Sequence, residues 1–241
     1  MPGGLLNLVS EGQQNIILNG NPSKTFFKCS YSKYTNFGLQ KFRVDFEGSK
    51  TLQLNESSQF VFKIPRYADL LMDCYLSINL PDIWSPIFPP QSTCPDISAW
   101  VPYEFKWIDY LGAEMIEKIS ITCGNQTLQE FSGTYLLAAV LRDFTGLKKD
   151  LFNEMIGNTS DLNDPGNAYS RVNSYPNAYY NTSSSGSNPS IRGKTLYIPL
   201  NAWFNLNTQM AFPLVALQYN ELQITITMRP INQLFVIRDV L

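Results

Sequence analysis

Two pairs of carboxylates are the residues of this sequence best spaced for general acid–base chemistry: Glu114 with Glu117, and Asp143 with Asp150. Such a pair can divide the roles of proton donor and acceptor when it lines a substrate cleft. The chain contains no histidine, however, which excludes Ser-His-Asp and Cys-His catalysis and the commonest general base near neutral pH. Carboxylates on turns or helices are ordinarily solvated charges. The sequence therefore predicts a protein that is not an enzyme.

Motifs for metals and cofactors are also missing from the sequence. No P-loop, dinucleotide-binding fingerprint or EF-hand loop occurs. The acidic and amide residues of 161–167 lack the glycine and final glutamate of a calcium loop, so they predict hydrogen-bonded turns. No Cys-x-x-Cys pair occurs among the four cysteines, which are Cys29, Cys74, Cys94 and Cys123. We expect no cofactor and no metal, with Cys74 and Cys123 as buried free thiols.

Composition and charge narrow the class of protein further. With 44% hydrophobic and 16% charged residues, the chain favours a folded core over disorder. Its net charge of −2 gives no reason to expect direct binding of nucleic acid, which needs clustered lysine and arginine. No apolar run approaches the roughly 20 residues that span a bilayer. Residues 1–20 lack the basic start of a signal peptide, so we expect synthesis and folding in the cytosol.

Asn-x-Ser/Thr triplets are candidate sites of N-glycosylation at four positions, which are Asn55, Asn125, Asn158 and Asn181. Four triplets can arise by chance in a chain rich in asparagine, serine and threonine, and a cytosolic protein does not meet the usual glycosylation machinery. Glycosylation therefore remains a hypothesis at these positions, of which Asn158 and Asn181 lie in predicted loops.

Alternation of apolar and polar residues is the main structural signal of the chain. Because neighbouring side chains of a strand point to opposite faces of a sheet, this alternation predicts half-buried strands. The apolar members are Phe42, Val44 and Phe46; Leu52 and Leu54; Phe60, Phe62 and Ile64; Cys74, Leu76, Ile78 and Leu80; Ile119, Ile121 and Cys123; and Leu222, Ile224, Ile226 and Met228. Strands joined by irregular loops favour an all-β, antiparallel β-sandwich.

Helices and long loops are predicted between these strands. Apolar residues recur at helical spacing in 135–144 and 147–156, and we expect both short helices to pack over one end of the sandwich. Segments 81–102, 157–193 and 199–217 predict irregular loops, the first because proline cannot donate to a sheet ladder. So long a loop as 157–193 in a compact domain is usually an excursion with a role.

Short motifs spread in one order along the chain carry a family resemblance. They are Gly3-Gly4-Leu5-Leu6-Asn7-Leu8-Val9, Gly20-Asn21-Pro22, Thr25-Phe26-Phe27-Lys28, Tyr34-Thr35-Asn36-Phe37, Ile64-Pro65-Arg66-Tyr67-Ala68-Asp69-Leu70-Leu71, Pro81-Asp82-Ile83-Trp84-Ser85-Pro86, Trp107-Ile108-Asp109-Tyr110-Leu111-Gly112, Ile116-Glu117-Lys118-Ile119, Arg192-Gly193-Lys194-Thr195-Leu196-Tyr197-Ile198-Pro199-Leu200 and Leu217-Gln218-Tyr219-Asn220-Glu221-Leu222. The series resembles the N-terminal jelly roll of the major capsid proteins of nucleocytoplasmic large DNA viruses.

This resemblance implies a fold and a domain organisation. The implied fold is an antiparallel, eight-stranded jelly-roll β-sandwich with long loops and one or two short helices, the first half of a double jelly roll. Residues 1–24 would be an N-terminal arm and residues 25–230 the jelly-roll domain. Residues 231–241 would connect towards a second jelly roll that is absent from this chain. The 157–193 excursion would be one of the long loops of the outward tower.

The resemblance also implies a function and partners. The chain would be a structural capsid protein of the virion, made in the host cytoplasm, that assembles as trimeric, pseudo-hexameric capsomers into an icosahedral shell. Its partners would be its own trimer, neighbouring capsomers, minor capsid proteins and, through the arm, the inner viral membrane. Two alternatives stay open: a minor capsid component of the same family, or a carbohydrate-binding jelly roll that stacks sugars on Trp84, Trp100 and Trp203.

Overall fold

The computed structural model describes residues 36–48, 51–85, 87–88, 103–180 and 187–239. The chain divides into two compact units, Met1–Arg43 and Val44–Leu241. In the first unit only residues 36–43 are described, and they form neither helix nor strand. The predictions for four residues and for the N-terminal arm lie outside the described residues: Cys29, Cys94, Trp100, Asn181 and residues 1–24.

Strands dominate the described part of this unit. In chain order they are β1 (Ser58–Ile64), β2 (Leu70–Leu71), β3 (Tyr75–Asn79), β4 (Ile87–Phe88), β5 (Tyr103–Trp107), β6 (Ile116–Cys123), β7 (Gln126–Phe131), β8 (Ala178–Tyr180), β9 (Ser187–Asn188), β10 (Thr195–Pro199), β11 (Phe212–Pro213), β12 (Leu222–Met228) and β13 (Phe235–Asp239). The largest sheet has the order β1-β12-β6-β7 and is antiparallel throughout. Strands β10 and β3 form a second antiparallel pair, as do β13 with β5 and β11 with β2.

The core lies against the inner faces of the large sheet and of the β10–β3 pair. Strand β12 shows the cause most simply: Leu222, Ile224, Ile226 and Met228 are buried while the residues between them are partly exposed. The inner face of β6 is buried in the same way, and Leu196 and Ile198 join this core from β10. Period-two alternation thus places one face of each strand in a shared core, as in a sandwich.

Helices cover part of this core. They are α1 (Leu111–Glu114), α2 (Gly133–Asp143), α3 (Gly146–Ile156) and α4 (Ser160–Asn163). The two longer helices confirm the predictions for 135–144 and 147–156, and each begins one or two residues earlier than predicted. Helix α3 ends at Gly157, whose φ of +78° is the left-handed conformation in which glycine commonly terminates a helix. No helix among the described ranges is long and apolar enough to cross a bilayer.

Two predicted strands are wrong. Residues 42–46 and 52–54 alternate but form no strand. The ring of Phe46 instead packs edge-on against Phe60, with the ring centroids 5.1 Å apart, so its apolar character serves to cover β1. The carbonyls of Gln53 and Leu54 accept hydrogen bonds from the backbone of residues 231 and 232, which fixes the segment as a bend. Alternation alone does not distinguish a strand from a covering loop.

The 157–193 excursion is more ordered than the composition predicts. It contains α4, a 3-10 turn at Ala168–Ser170 and strands β8 and β9. Strand β8 pairs in parallel with β4, a departure from the antiparallel expectation. The Tyr175 hydroxyl ties the loop to β5, because it donates to the Phe105 carbonyl at 3.0 Å and accepts from the Phe105 amide at 3.2 Å. Burial raises the pKa of this hydroxyl.

Strand β13 lies within the predicted connector, residues 231–241. It pairs with β5 in register from Phe235 opposite Trp107 to Asp239 opposite Tyr103. The rings of Phe235 and Phe105 stack at 5.2 Å. At least residues 235–239 of this segment are therefore a strand of the same unit.

Candidate assembly surface

The candidate carboxylate pairs do not form a joint site. Glu114 forms an ion pair with Arg229 at 3.3 Å, whereas Glu117 accepts a hydrogen bond from the Ser57 hydroxyl at 2.8 Å. Asp143 is held by its neighbour Arg142, whose hydrogen bond lowers the pKa of the carboxyl. Glu114, Glu117 and Asp143 are thus each engaged by a separate structural partner. Among the residues described, no three acidic or sulfur ligands lie close enough to hold a metal ion.

The polar run 161–167 comprises the end of helix α4 and a hydrogen-bonded turn, so the prediction of turns is confirmed only for its second half. The Asn167 amide donates to both carboxylate oxygens of Asp164, at 3.1 and 3.0 Å. The Asn163 amide donates to Asp109 at 3.0 Å and to the Asn158 carbonyl oxygen at 3.1 Å. These contacts tie α4 to the turn that follows β5, and they use the side chains that calcium would require.

Asn158 has a structural role in that turn. Its side-chain oxygen accepts from the backbone amide of Tyr110 at 3.2 Å, and its amide nitrogen donates to Asn153 at 3.2 Å. Tyr110 has a φ of +52°, an unusual conformation for a residue with a side chain, so this hydrogen bond supports a strained turn.

The other described sequons lie on the surface. Asn125 is exposed in the hairpin between β6 and β7, next to Gly124, whose φ is +59°. Asn55 is exposed as well, and its side-chain oxygen accepts from the Asn232 amide at 3.3 Å. Glycosylation at the candidate positions remains a proposal; Asn125 and Asn55 are exposed, whereas Asn158 is half-buried.

A surface groove lies between helix α3 and the ends of β3 and β10. Its volume is about 240 Å³. Leu151 and Met155 of α3, Tyr75 of β3 and Pro199 of β10 supply apolar walls. Asp73 and Lys148 bring one charge of each sign to the same groove. We call the space bounded by these six residues the α3 groove.

Cys74 also lines the α3 groove, from its core side. Burial raises the pKa of this thiol to about 12, and the neighbouring Asp73 carboxylate adds to the shift. The thiol is therefore protonated and inert at neutral pH. Cys74 and Cys123 are free, and both are half-buried rather than fully buried as predicted.

A second surface is built from two loops, residues 65–71 and 212–219, which we call the loop platform. Strands β2 and β11 pair within it, and the amide of Val215 donates to the Asp69 carbonyl at 3.3 Å. The Arg66 guanidinium donates to the carbonyls of Leu217 and Gln218, the latter at 3.1 Å. These hydrogen bonds fix the two loops together. The large side chains that they leave exposed are Tyr67, Leu70, Val215 and Tyr219.

The tryptophans of the carbohydrate hypothesis are not flat, open stacking surfaces in the described part of the chain. Trp203 is half-buried and packs edge-on against Phe204 and Phe212, at centroid distances of 5.0 and 5.9 Å. Trp84 is half-buried as well. The contacts of Trp203 thus leave it without the free aromatic face on which a sugar ring would stack.

The sequence alone does not predict the α3 groove or the loop platform. Leu147 and Leu151 share the apolar helical spacing of residues 147–156, but both are exposed, and α3 buries Phe152 and Ile156 instead. Arg66 and Tyr219 occur in the motifs of the resemblance and received no role. The pairing of β2 with β11 is what brings these distant residues together, and such short strands leave no periodic signal.

The fold defines a class of protein, an antiparallel jelly-roll domain with a few short helices. The model of a known family, described as the N-terminus of the major capsid protein, matches residues 25–241. The chain therefore belongs to the major capsid protein family, in the part that forms its N-terminus. The count of eight strands stays a prediction.

Relatives and solved structures agree with this family. The chain is 29% identical to the major capsid protein of Chrysochromulina ericina virus, over 97% of the chain and 42% of that relative. It is 28% identical to capsid protein 1 of Acanthamoeba polyphaga mimivirus, over 99% of the chain and 36% of that relative. The chain thus spans about two fifths of the length of these relatives.

Solved structures show the same fold at low sequence identity. PBCV-1 VP54 superposes with a TM-score of 0.57 at 19% identity, covering 88% of this chain and 39% of that one. The Faustovirus major capsid protein superposes with a TM-score of 0.54 at 14% identity, covering 98% of this chain and 51% of that one.

Proposed function

We propose that this chain is a structural subunit of the capsid of a large DNA virus, and not an enzyme. The observation that carries the proposal is the family match over residues 25–241, which covers nearly the whole chain. The relatives are named capsid proteins and come from large DNA viruses. The separate engagement of the candidate carboxylates agrees with a structural role.

The finer form of the proposal concerns assembly. Three copies associate into a trimeric, pseudo-hexameric capsomer, and capsomers tile an icosahedral shell. Residues 1–24 serve as an arm beneath the capsomer, residues 25–230 as the jelly-roll domain, and residues 231–241 lead towards a second jelly roll. Within this last segment, strand β13 pairs with β5 of the same unit, so the path towards a second jelly roll would begin after it.

The proposal extends to location and partners. The protein is made in the host cytoplasm and resides in the virion. Its partners are neighbouring capsomers, minor capsid proteins and, through the arm, the inner viral membrane. We propose no direct contact with nucleic acid, because the net charge of −2 supplies no excess of cations for phosphates.

Quantitative mass spectrometry of purified virions tests the capsid role. We expect peptides of this chain in the shell fraction at the copy number of its principal component. A copy number far below that of the principal shell protein would assign the chain to the minor capsid components instead. Absence from virions, despite expression during infection, would contradict the proposal.

A further inference from the structure

We propose that a surface cavity between helix α3, helix α4 and the 3-10 turn binds a neutral carbohydrate. We call it the polar cavity, and the lining residues that matter here are Asp150 and Glu154 of α3, Asp161 of α4, Tyr169 of the turn and Lys194. Its volume is about 470 Å³, within the roughly 300–1,000 Å³ typical of sites for small molecules. This inference goes beyond the capsid role and does not depend on it.

Tyr169 supplies an aromatic surface to the polar cavity. The residue is 78% exposed, and the guanidinium of Arg171 lies over its ring, 5.4 Å from the centroid. Because one cation covers one face of a ring, the other face stays open, and sugar rings stack on such a face. The Nε of Arg171 donates to the Pro165 carbonyl at 3.2 Å, which fixes the guanidinium and, through it, the ring.

The charged side chains of the polar cavity have no partner within the described part of the chain. No hydrogen bond or ion pair there engages the side chain of Asp150, Glu154, Asp161 or Lys194. Asp150 and Glu154 lie four residues apart on α3, so they share one face of the helix despite their like charges. The three carboxylates can accept hydrogen bonds from a ligand, and the ammonium can donate them.

This mixture of charges favours a neutral ligand that is rich in hydroxyl groups. An anion would meet three carboxylates, whereas a cation would meet Lys194 in the cavity and Arg171 behind the ring of Tyr169. The hydroxyl groups of a sugar can donate to carboxylates and accept from an ammonium, and hydrogen bonds to ionised groups are the stronger ones. The open ring face and the charged groups together therefore suit a carbohydrate better than an ion.

The connection between α3 and α4 adds an unsatisfied hydroxyl to a fixed wall. Thr159 also lines the polar cavity, and its hydroxyl oxygen is buried with no hydrogen-bond partner among the described residues. Such groups are rare in folded proteins. With Thr159 turned about χ1 towards the cavity, a sugar hydroxyl would supply the partner. The wall itself is held by the hydrogen bonds of Asn163 to Asn158 and of Asn158 to Asn153, so binding would order little of it.

Saturation-transfer difference NMR of the whole chain tests the site, with glucose, galactose, mannose and their neutral disaccharides as probes. We expect at least one probe to bind. Tyr169→Ala should weaken that binding about tenfold or more, because the stacking surface is lost. Glu154→Gln should weaken it about threefold or more, because a charge-assisted acceptor becomes a neutral amide.

Matched controls lie outside the polar cavity. Tyr197→Ala removes a half-exposed tyrosine of β10, and Glu56→Gln neutralises an exposed glutamate before β1. Each control should change sugar binding less than about twofold. Circular dichroism checks that all four variants are folded.

Spermidine, a polyamine, is the probe for a cation site. Its binding would weaken steeply as salt is raised, whereas the binding of a neutral sugar should change less than about twofold when the salt concentration rises about tenfold. Spermidine bound at these residues, with no sugar bound, would overturn the proposal.

Two further results would also overturn it: no saccharide binds the wild-type chain, or the Tyr169→Ala and Glu154→Gln chains bind as the controls do. Glycans released from purified virions and polysaccharide extracted from the host cell surface then compete against the bound probe. Displacement by either pool supports the site and identifies the source of its ligand, and displacement by neither contradicts it. The presence of the chain in virions tests the capsid role separately.

Discussion

The inner face of the large sheet is apolar, and so are large parts of two exposed surfaces, the α3 groove and the loop platform. They differ in what covers them. Ile119, Ile121 and Ile226 meet the other sheet and the helices and are fully or almost fully buried. Leu151 of the α3 groove and Tyr219 of the loop platform remain in contact with water. Apolar surface that folding covers stabilises the subunit, whereas apolar surface left exposed is available to a partner.

Among substitutions in the buried part of the fold, one at the start of helix α2 should lower the free energy of unfolding most. Gly133 begins this helix, and a Cβ added there would collide with the backbone carbonyl of Ala113 and lie 2.6 Å from that of Ile116. Because backbone cannot move aside as a side chain can, Gly133→Ala should cost at least about 4 kcal/mol of unfolding free energy, or prevent folding. Chemical denaturation measures this value.

Gly146 at the start of α3 is the matched control, because a Cβ there meets nothing within 4 Å. Gly146→Ala should change stability by no more than about 1 kcal/mol, since alanine is the better helix former. Equal stability of the two variants would refute the close packing of α2 against α1 and β6.

A substitution in strand β6 should have the second-largest effect on the free energy of unfolding. Ile121 is fully buried, opposite Ile224 of β12. Ile121→Ala should cost about 3 kcal/mol through lost burial and the cavity left behind. Thr225→Ala, on the outer face of β12 beside it, should cost less than about 1 kcal/mol, because the threonine packs on one side only. If both variants lost the same free energy of unfolding, the inner face of the sheet would be no better covered than its outer face, contrary to this account.

Asn158 tests whether polar contacts fix the turn after β5. Asn158→Ala removes the acceptor of the Tyr110 amide and the donor to Asn153, so it should cost about 2 kcal/mol. Asn125→Ala, in the exposed hairpin, should change stability by less than about 0.5 kcal/mol. The comparison uses thermal unfolding monitored by near-ultraviolet circular dichroism. A neutral Asn158→Ala variant would remove the structural role assigned to this sequon.

Cys74 lies at the boundary between the core and the α3 groove. Its ionisation has the smallest expected effect on stability near neutral pH. With a pKa of about 12, its thiol should react with iodoacetamide at pH 8 at least about a hundredfold more slowly than a free thiol, followed by mass spectrometry. Because the folded pKa is raised, the stability from the neutral thiol is complete below the unfolded pKa of about 8.5 and is lost as pH rises towards 12.

A Cys74→Ala chain provides the control for this pH dependence. It should lose less stability than the wild-type chain over the same alkaline range, since the two chains share every other titrating group. Rapid alkylation of Cys74 in the folded protein would place the thiol on the open side of the α3 groove.

The sequence predicts the buried inner face of the large sheet far better than the two exposed surfaces. Alternation in 222–228 and 119–123 predicts strands that lie in the core, because burial of one face imposes the pattern. The same pattern in 42–46 and 52–54 reflects loops that pack on the sheet, and no local signal separates these cases. The α3 groove joins residues near 73, 150 and 199, so it depends on tertiary packing that no short motif encodes.

Family motifs carried the interpretation of function further than composition did. The missing histidines argued only against common kinds of catalysis, while the ordered motifs from Gly3 to Leu222 pointed to capsid proteins. Arg66 and Tyr219 lie in those motifs, but their common location in the loop platform became evident only from the pairing of β2 with β11.

The mass of the wild-type chain in solution, measured by native mass spectrometry across a wide range of concentration, tests the capsid role most directly. The proposal predicts that protomers of 27.4 kDa give way to trimers as the concentration rises, with higher assemblies of trimers beyond them. A folded chain that remains strictly monomeric at the highest concentration reached would contradict the claim that it is a self-assembling capsid subunit.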